Sequence, residues 1–100
     1  MARLEFDEAN GLFYLHTPPA RAEAPTFVFV NALTGNTGAW EAEVAPALRA
    51  QGFGTLAYNL RGQDDSPFEP GLDLTDDLIV SDLAALLDEV APARPILVGL

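Results

Sequence analysis

The sequence predicts an α/β fold: an antiparallel hairpin, then a mostly parallel sheet with helices on both of its faces. Three apolar runs lack polar alternation, which is typical of central parallel strands buried on both faces. Two longer segments with helical spacing of apolar residues separate these runs. Strands that alternate with helices imply right-handed crossovers and a parallel sheet that is covered on both sides.

The hairpin is predicted from alternation and from a turn signal. Residues 4–7 alternate apolar and charged side chains, and residues 12–16 form a second strand-like run. Asn10-Gly11 lies between them and is a strong short-range signal for a hairpin turn. Residues 17–25 are rich in proline and alanine, so we expect a loop there.

The three apolar strands are expected at residues 26–30, 55–59 and 95–99. Between the first two, residues 38–51 have helical spacing, and Gly52 is placed to cap that helix. Pro46 lies inside the pattern, so the helix is expected either to kink or to begin late, with Pro46 near its first turn.

The second helix is predicted from one apolar stripe in residues 74–90, with Asp73 as the N-cap and Pro92 ending the helix. Its acidic residues are expected to fall largely off that stripe, and the first ones complement the helix dipole. The stripe consists of Leu74, Leu78, Ile79, Leu83, Leu86, Leu87 and Val90, and the acidic residues are Asp76, Asp77, Asp82 and Asp88.

The last strand is followed at once by Leu100, where the sequence ends. A parallel strand with two apolar faces needs a following helix to cover it. We therefore expect residues 1–100 to be the N-terminal portion of a single incomplete domain, with the remainder after Leu100.

Composition excludes several classes of function. Fifteen acidic residues face five arginines and no lysine, giving a formal net charge of −10, which disfavours nucleic acid and anionic membranes as partners. Cysteine is absent, so thiolate metal sites and a cysteine nucleophile are excluded. No signal sequence or long apolar run is present, so we expect a cytoplasmic protein. We expect neither a metal nor a cofactor.

Four stretches, in this order, resemble the α/β-hydrolase superfamily. Residues 27–35 are similar to its third strand and the oxyanion segment that follows, and residues 40–52 to its first helix. Residues 59–66 (N-L-R-G-Q-D-D-S) resemble its D-x-R-G-x-G-x-S turn. Residues 76–100 resemble the helix and strand that lead into the nucleophile elbow.

The sequence departs from the superfamily pattern at three places. Asn31-Ala32 stands where the family usually carries His-Gly, and Asn59 stands where Asp is usual. Gln63-Asp64 replaces a common His-Gly pair. These departures leave the resemblance in fold but weaken any assignment to a subfamily.

The resemblance implies a serine-dependent hydrolase that forms an acyl-enzyme from a small ester, lactone or thioester. Gly99-Leu100 would supply the first two positions of the G-x-S-x-G elbow, so the nucleophile, the acid and the His are expected beyond this chain. The backbone N–H of Leu33 would donate into the oxyanion hole, although Leu33 could simply pack between strand and helix. Asn31, Ala32 and Thr34 are candidate substrate-binding residues. The expected partners are a small acyl substrate and the remainder of the same hydrolase.

Other functions remain open at this point. Residues 31–35 (N-A-L-T-G) are similar to the H-A-L-T-G of homoserine acetyltransferases, with Asn31 in place of His, and Ala32-Leu33-Thr34-Gly35 favours an acyltransferase as one alternative. A second alternative is a non-catalytic binding or interaction module of the same fold. An aspartate nucleophile, as in dehalogenases and epoxide hydrolases, is disfavoured because the oxyanion segment lacks the aromatic residue or proline that often follows there.

The other polar residues have simpler structural interpretations. His16, the only histidine, has no nucleophile nearby to activate, and the glycines at 35 and 38 lack the spacing of a phosphate loop. The aspartates at 64–65 and 73–77 do not match the spacing of a calcium loop. We expect Arg61 to pair with one of these carboxylates in a structural role.

Overall fold

The computed structural model describes residues 2–7, 10–31, 37–61, 63 and 75–99. Five strands and three helices are found among them. In chain order they are β1 (Ala2–Glu5), β2 (Gly11–Thr17), β3 (Thr26–Val30), α1 (Gly38–Glu41), α2 (Val44–Ala50), β4 (Gly54–Tyr58), α3 (Asp76–Val90) and β5 (Pro95–Gly99).

The strands form one sheet in the order β1-β2-β4-β3-β5. β2 is antiparallel to both β1 and β4, whereas β3 is parallel to β4 and to β5. The hairpin followed by a mostly parallel sheet is the arrangement that the sequence predicts. β3 lies inside the sheet, between β4 and β5, as expected for a strand whose last four residues are all apolar.

The hairpin differs from the prediction in its turn. β1 covers Ala2–Glu5 rather than residues 4–7, and Gly11 does not lie in a two-residue turn but begins β2 opposite Glu5. The backbone oxygen of Asn10 instead accepts the N–H groups of Phe6 and Asp7, at 3.0 and 3.3 Å. Glycine fits at position 11 because a Cβ there would lie 2.9 Å from the carbonyl oxygen of Leu4.

Helices cover both faces of the sheet, as predicted. Because strand side chains alternate between faces, β3 and β4 each contribute to two separate apolar clusters. One contains Leu12, Val28, Leu56, Tyr58, Leu60 and Leu86, with Ile79, Leu83, Leu87 and Val90 of α3 packed against it. The other contains Phe29, Trp40, Ala45 and Ala57, with Phe27, Leu48 and Val98 packed against it.

The first helical pattern divides into α1 and α2, which confirms the interpretation of Pro46. Residues 42–43 form a turn, and Pro46 is the third residue of α2, where a missing N–H costs no intrahelical bond. Arg49 of α2 pairs with Glu41 of α1 at 2.8 Å. Gly52 follows α2 with φ of +88°, a left-handed conformation that glycine adopts without strain.

The second predicted helix is α3, which begins two residues later than the start of the apolar stripe at Leu74. Its N-cap is Thr75 in place of the predicted Asp73, and the Thr75 hydroxyl accepts the N–H of Leu78 at 3.1 Å. Asp73 and Leu74 lie outside the described residues. α3 ends at Val90, and Ala91 adopts the left-handed conformation just before Pro92.

Asp82 departs from the expectation that the acidic residues of α3 lie off its buried side. It lies on the buried side of the helix, where it accepts two hydrogen bonds from Arg61 at 2.7 and 2.9 Å. Both side chains are less than a tenth exposed, and the Arg61 guanidinium also lies 4.4 Å above the ring of Phe6. Arg61 therefore pairs with Asp82, a carboxylate outside the predicted set, of which Asp64, Asp65 and Asp73 lie outside the described residues.

β5 differs from the other two apolar strands in its exposure. β4 is buried along its whole length, but Ile96 and Leu97 of β5 are 43% and 55% exposed. β5 pairs with β3 alone, so one backbone edge of the strand is unpaired in the described sheet. The prediction that β5 is buried on both faces is therefore not met by these residues.

His16 lies on β2, where burial lowers the pKa of its imidazole below the usual 6.5. Its buried Nε2 has no hydrogen-bond partner among the described residues. Burial without a partner favours the neutral imidazole, because protonation would place a charge in a poorly solvated position.

We predict that Asp82→Asn lowers the free energy of unfolding by about 3–5 kcal/mol, because the substitution leaves the buried guanidinium of Arg61 without its countercharge. Chemical denaturation measures the change. The control is Asp88→Asn on the exposed side of α3, with an expected change within about 0.5 kcal/mol. Equal small effects of the two substitutions would show that the pair does not stabilise the packing of α3.

We also predict that the unfolding free energy falls as the pH drops through about 6.5 because of His16. The unfolded chain takes up the proton at its ordinary pKa, whereas the folded chain does so only at lower pH, so protonation favours unfolding. His16→Gln should flatten this dependence between about pH 7.5 and 5.5, a window in which the sequence has no other histidine to titrate. Identical pH slopes for the two proteins would contradict the prediction.

Candidate functional site at the carboxyl ends of the central strands

The candidate site lies where β3 and β4 end. In parallel α/β sheets, ligands bind beyond the carboxyl ends of the strands. Asn31 directly follows β3, and Asn59 directly follows the neighbouring β4. Both asparagines are buried, with exposed fractions of 7% and 1%, so each side chain must find its hydrogen-bond partners inside the protein.

The side-chain amide of Asn31 makes contacts with four groups. Its Nδ2 donates to the backbone oxygen of Tyr58 at 2.8 Å, to Oε1 of Gln63 at 3.1 Å and to Oδ1 of Asn59 at 3.2 Å. Its Oδ1 accepts the indole N–H of Trp40 at 2.6 Å. These contacts join the end of β3 to the end of β4, to the turn after β4 and to helix α1. We call Asn31, Asn59, Gln63 and Trp40 the amide cluster.

The orientation of the Asn31 amide is determined by its partners. The backbone oxygen of Tyr58 can only accept a hydrogen bond, and the indole nitrogen of Trp40 can only donate one. A rotated amide would place oxygen against oxygen and nitrogen against nitrogen. The cluster therefore has one favourable arrangement at Asn31.

Backbone N–H groups orient the other two amides in the same way. Oδ1 of Asn59 accepts the N–H of Thr37 at 2.9 Å, and Oε1 of Gln63 accepts the N–H of Leu60 at 2.8 Å. The N–H of Gln63 donates in turn to the oxygen of Leu60 at 2.9 Å. Gln63 thus stabilises the turn that follows β4 while it accepts a hydrogen bond from Asn31.

Trp40 links the cluster to the apolar packing of the sheet. Its ring stacks on Phe29, with ring centroids 4.7 Å apart and an angle of 18° between the planes. The stacking places the indole N–H toward Asn31, at the end of the strand that carries Phe29. An aromatic core residue therefore also supplies a polar contact of the site.

Tyr58 contributes its backbone oxygen to the cluster, and its side chain belongs to the cluster of apolar residues under α3. Burial, and secondarily the negative charge of Asp82, raise the pKa of the Tyr58 phenol to about 12. The phenol is therefore neutral at physiological pH, which does not suit it to act as a base.

The amide cluster can position backbone but cannot itself break a covalent bond. Its side chains are uncharged over the physiological range, and amides and indoles are neither nucleophiles nor proton acceptors. Within the described residues there is no group of three or more His, Cys, Asp or Glu able to hold a metal ion. The chemistry that this site can supply is the placement of backbone donors.

Only part of the predicted site lies within the described residues. Asn31 does, whereas Ala32, Leu33 and Thr34 lie outside them, as do Asp64, Asp65 and Leu100. The prediction that Asn31, Ala32 and Thr34 bind substrate, and that Leu33 donates into an oxyanion hole, thus stays a prediction. Gly99 is described and pairs with Val30, so the end of β5 lies beside the end of β3.

Sequence reasoning missed how the cluster is connected. The sequence marks Asn59 and Gln63 only as departures from a family pattern, and it places Trp40 only within a predicted helix. One available signal was that three amide residues follow buried strands, where a buried polar group needs a partner. The donation by Trp40 had no sequence signal, because indoles in a helix most often serve the core.

A cavity of about 580 Å³ lies elsewhere on the molecule and contains no member of the amide cluster. It opens between the hairpin and helices α1 and α2, and the residues that line it are Ala2, Tyr14, Leu15, His16, Thr17, Glu41 and Arg49. The described helices include none that is long and apolar enough to cross a membrane.

Comparison with known proteins places this geometry in a family. The family described as alpha/beta hydrolase fold matches residues 25–100. No curated protein matches the chain.

Solved structures resemble the chain along almost its whole length. A hydrolase from Pseudomonas aeruginosa PA01 is 28% identical with a TM-score of 0.79, over 99% of this chain and 36% of that one. An enol-lactonase from Burkholderia xenovorans LB400 is 28% identical with a TM-score of 0.75, over 93% of this chain and 35% of that one.

A third structure, from work on carboxylesterases of the Thaumarchaeon Nitrososphaera gargenis, is 23% identical with a TM-score of 0.83. The match covers 98% of this chain and 35% of that one, and at this identity it shows the fold alone. The chain therefore spans about a third of the length of these hydrolases. From the family match over residues 25–100 together with the sheet order, we conclude that the chain belongs to the alpha/beta hydrolase fold family.

Proposed function

We propose that this chain forms the N-terminal part of a serine-dependent hydrolase that cleaves a small ester, lactone or thioester through an acyl-enzyme. The observation that carries the proposal is the pairing of Val30 with Gly99. In this pairing, the end of the strand that would lead into the elbow lies beside the end of the strand that would lead into the oxyanion segment. A nucleophile and an oxyanion donor must flank one substrate carbonyl, and adjacent strand ends supply that proximity.

In the proposed reaction, the hydroxyl of a serine that follows Leu100 attacks the substrate carbonyl and passes its proton to a histidine. The carbonyl oxygen becomes an oxyanion, which accepts a hydrogen bond from the backbone N–H of Leu33. The leaving group departs with the proton from the histidine, and water then releases the acid from the acyl-serine by the same two steps. The serine, the histidine and its acid partner belong to the remainder of the protein, and no step requires a cofactor.

A backbone donor suits the sequence, because its strength does not depend on the side chain that carries it. Leucine at position 33 is therefore compatible with the role, and loss of one such donor costs about 10²–10³-fold in kcat. The substrate class is supported by the similar enol-lactonase from Burkholderia xenovorans LB400, which is 28% identical to this chain.

We predict that a fluorophosphonate probe labels the native-length protein on the serine that directly follows Gly99-Leu100. The probe forms a stable bond with activated serines, and mass spectrometry of the digested protein locates the labelled residue. The same protein should release acid from p-nitrophenyl acetate or a simple lactone. An added alcohol that captures most of the acyl group would favour an acyltransferase instead.

The control is the same protein with that serine replaced by alanine, which should take up no label and release no acid. Label on a different residue, or hydrolysis that survives the serine replacement, would contradict the proposed mechanism. Absence of both label and hydrolysis in the unmodified protein would favour a non-catalytic module of the same fold.

A further inference from the structure

At the candidate site, one side-chain oxygen accepts hydrogen bonds from two residues that lie six positions apart in the sequence. Oδ1 of Asn59 accepts Nδ2 of Asn31 at 3.2 Å and the backbone N–H of Thr37 at 2.9 Å. These two donors therefore lie within about 6 Å of each other, whereas a chain from residue 31 to residue 37 can extend to about 20 Å. Asn31 and Thr37 are the residues that flank the segment 32–36.

Loss of either hydrogen bond is expected to be costly because all three residues are buried. Asn31, Thr37 and Asn59 are all less than a tenth exposed. Water cannot readily replace a partner that is lost at such a position, so each donor or acceptor left unpaired is costly. The flanks of the segment are thus held by contacts that resist substitution by solvent.

The side chain of Asn31 is fully engaged with protein groups. Its oxygen accepts from Trp40, and its two amide hydrogens share the acceptors on Tyr58, Asn59 and Gln63. An amide offers two hydrogens, and three acceptors already compete for them. The side chain has no remaining donor to direct at a substrate, so its contribution is made through the backbone that it holds.

We propose that Asn31 and Asn59 form a clasp that fixes the separation of residues 31 and 37, and that both asparagines are positioning residues rather than substrate contacts. This inference rests on the proposed function, in which a residue between these two positions supplies the oxyanion donor. Asn31 directly follows Val30, which pairs with Gly99 at the end of β5. Catalysis by a backbone donor depends on such placement, because a displacement of about 1 Å costs about 10²-fold in rate.

The two decisive variants differ in whether an oxygen that can act as the shared acceptor is present. Asn59→Ala removes the oxygen, whereas Asn59→Asp keeps an oxygen at the same place to accept from Asn31 and Thr37. In the native-length protein we expect Asn59→Ala to lower kcat for p-nitrophenyl acetate by about 10–100-fold while KM changes by less than about threefold. Asn59→Asp should keep kcat within about threefold of the unmodified protein.

Leu83→Ala is the control for a general loss of stability. Leu83 packs on the other face of the sheet, away from the amide cluster, and its truncation should leave kcat within about twofold. If Asn59→Ala does not fold, Trp40→Phe takes its place, because phenylalanine keeps an aromatic ring against Phe29 but has no N–H to donate to Asn31. The expected loss in kcat is then about 3–10-fold.

A second measurement, amide hydrogen exchange at Thr37, tests the clasp independently of enzymatic activity. In Asn59→Ala, the amide proton of Thr37 should exchange with solvent at least about 10-fold faster than in the unmodified protein, relative to the Ala57 amide as reference. In Asn59→Asp it should stay slow. For Trp40→Phe, a smaller acceleration in the same direction is expected.

The outcomes separate the two claims. A folded Asn59→Ala protein with unchanged kcat overturns the positioning role and leaves the proposed function in place. An unmodified protein that does not hydrolyse acyl substrates overturns the proposed function, and the Thr37 exchange rate then decides whether the clasp exists. Exchange at Thr37 that is not accelerated in Asn59→Ala, or in Trp40→Phe where that variant replaces it, overturns the clasp itself.

Discussion

The rest of the structure depends on the burial of β3 and β4 on both faces. Val28 and Leu56 are fully buried on one side of the sheet, and Phe29 and Ala57 are buried on the other. Two parallel neighbours of this kind require a helix on each face, which α3 and the α1–α2 pair supply. The same burial extends past the strand ends to Asn31 and Asn59, so these polar residues must satisfy each other.

Two sets of polar contacts lie at the end of β4, and each connects a different helix to the sheet. The amide cluster joins the strand end to α1, through Trp40 and the backbone N–H of Thr37. The pair of Arg61 and Asp82 joins the following turn to α3 on the opposite face. A short stretch of chain after β4 thus fixes both helical layers relative to the sheet, and uncharged contacts serve one layer while a charged pair serves the other.

Much of the fold could be predicted from sequence because the spacing of apolar residues indicates which segments form strands and which form helices. The strands at residues 26–30 and 95–99 have the predicted bounds, the third differs by one residue, and Pro46 correctly indicated an interrupted first helix. The errors lie where tertiary contacts override local signals. Gly11 allows the backbone of Leu4 to approach closely and does not form the predicted tight turn. Thr75 caps α3 in place of the predicted Asp73.

The candidate site was less predictable because its contacts join residues far apart in sequence. Asn31 was expected at the site from a family pattern, but Asn59 lies 28 positions away, and no local rule pairs the two. Asp82 likewise has the spacing of a surface residue, and only the position of Arg61 after β4 makes its burial favourable. The exposure of Ile96 and Leu97 follows from the position of β5 at the side of the described sheet, a property that strand composition does not specify.

Membership of the alpha/beta hydrolase fold family and the neutral cluster of amides suggest one account: the strand ends are held together by hydrogen bonds that act as a unit. A double-mutant cycle tests this most directly, with Asn31→Ala, Asn59→Ala and the double variant compared by free energy of unfolding. The account predicts that the double variant loses less than the two single losses combined, with a coupling of about 1–3 kcal/mol. Additive losses within about 0.5 kcal/mol would contradict it and would reduce the two asparagines to independent buried residues.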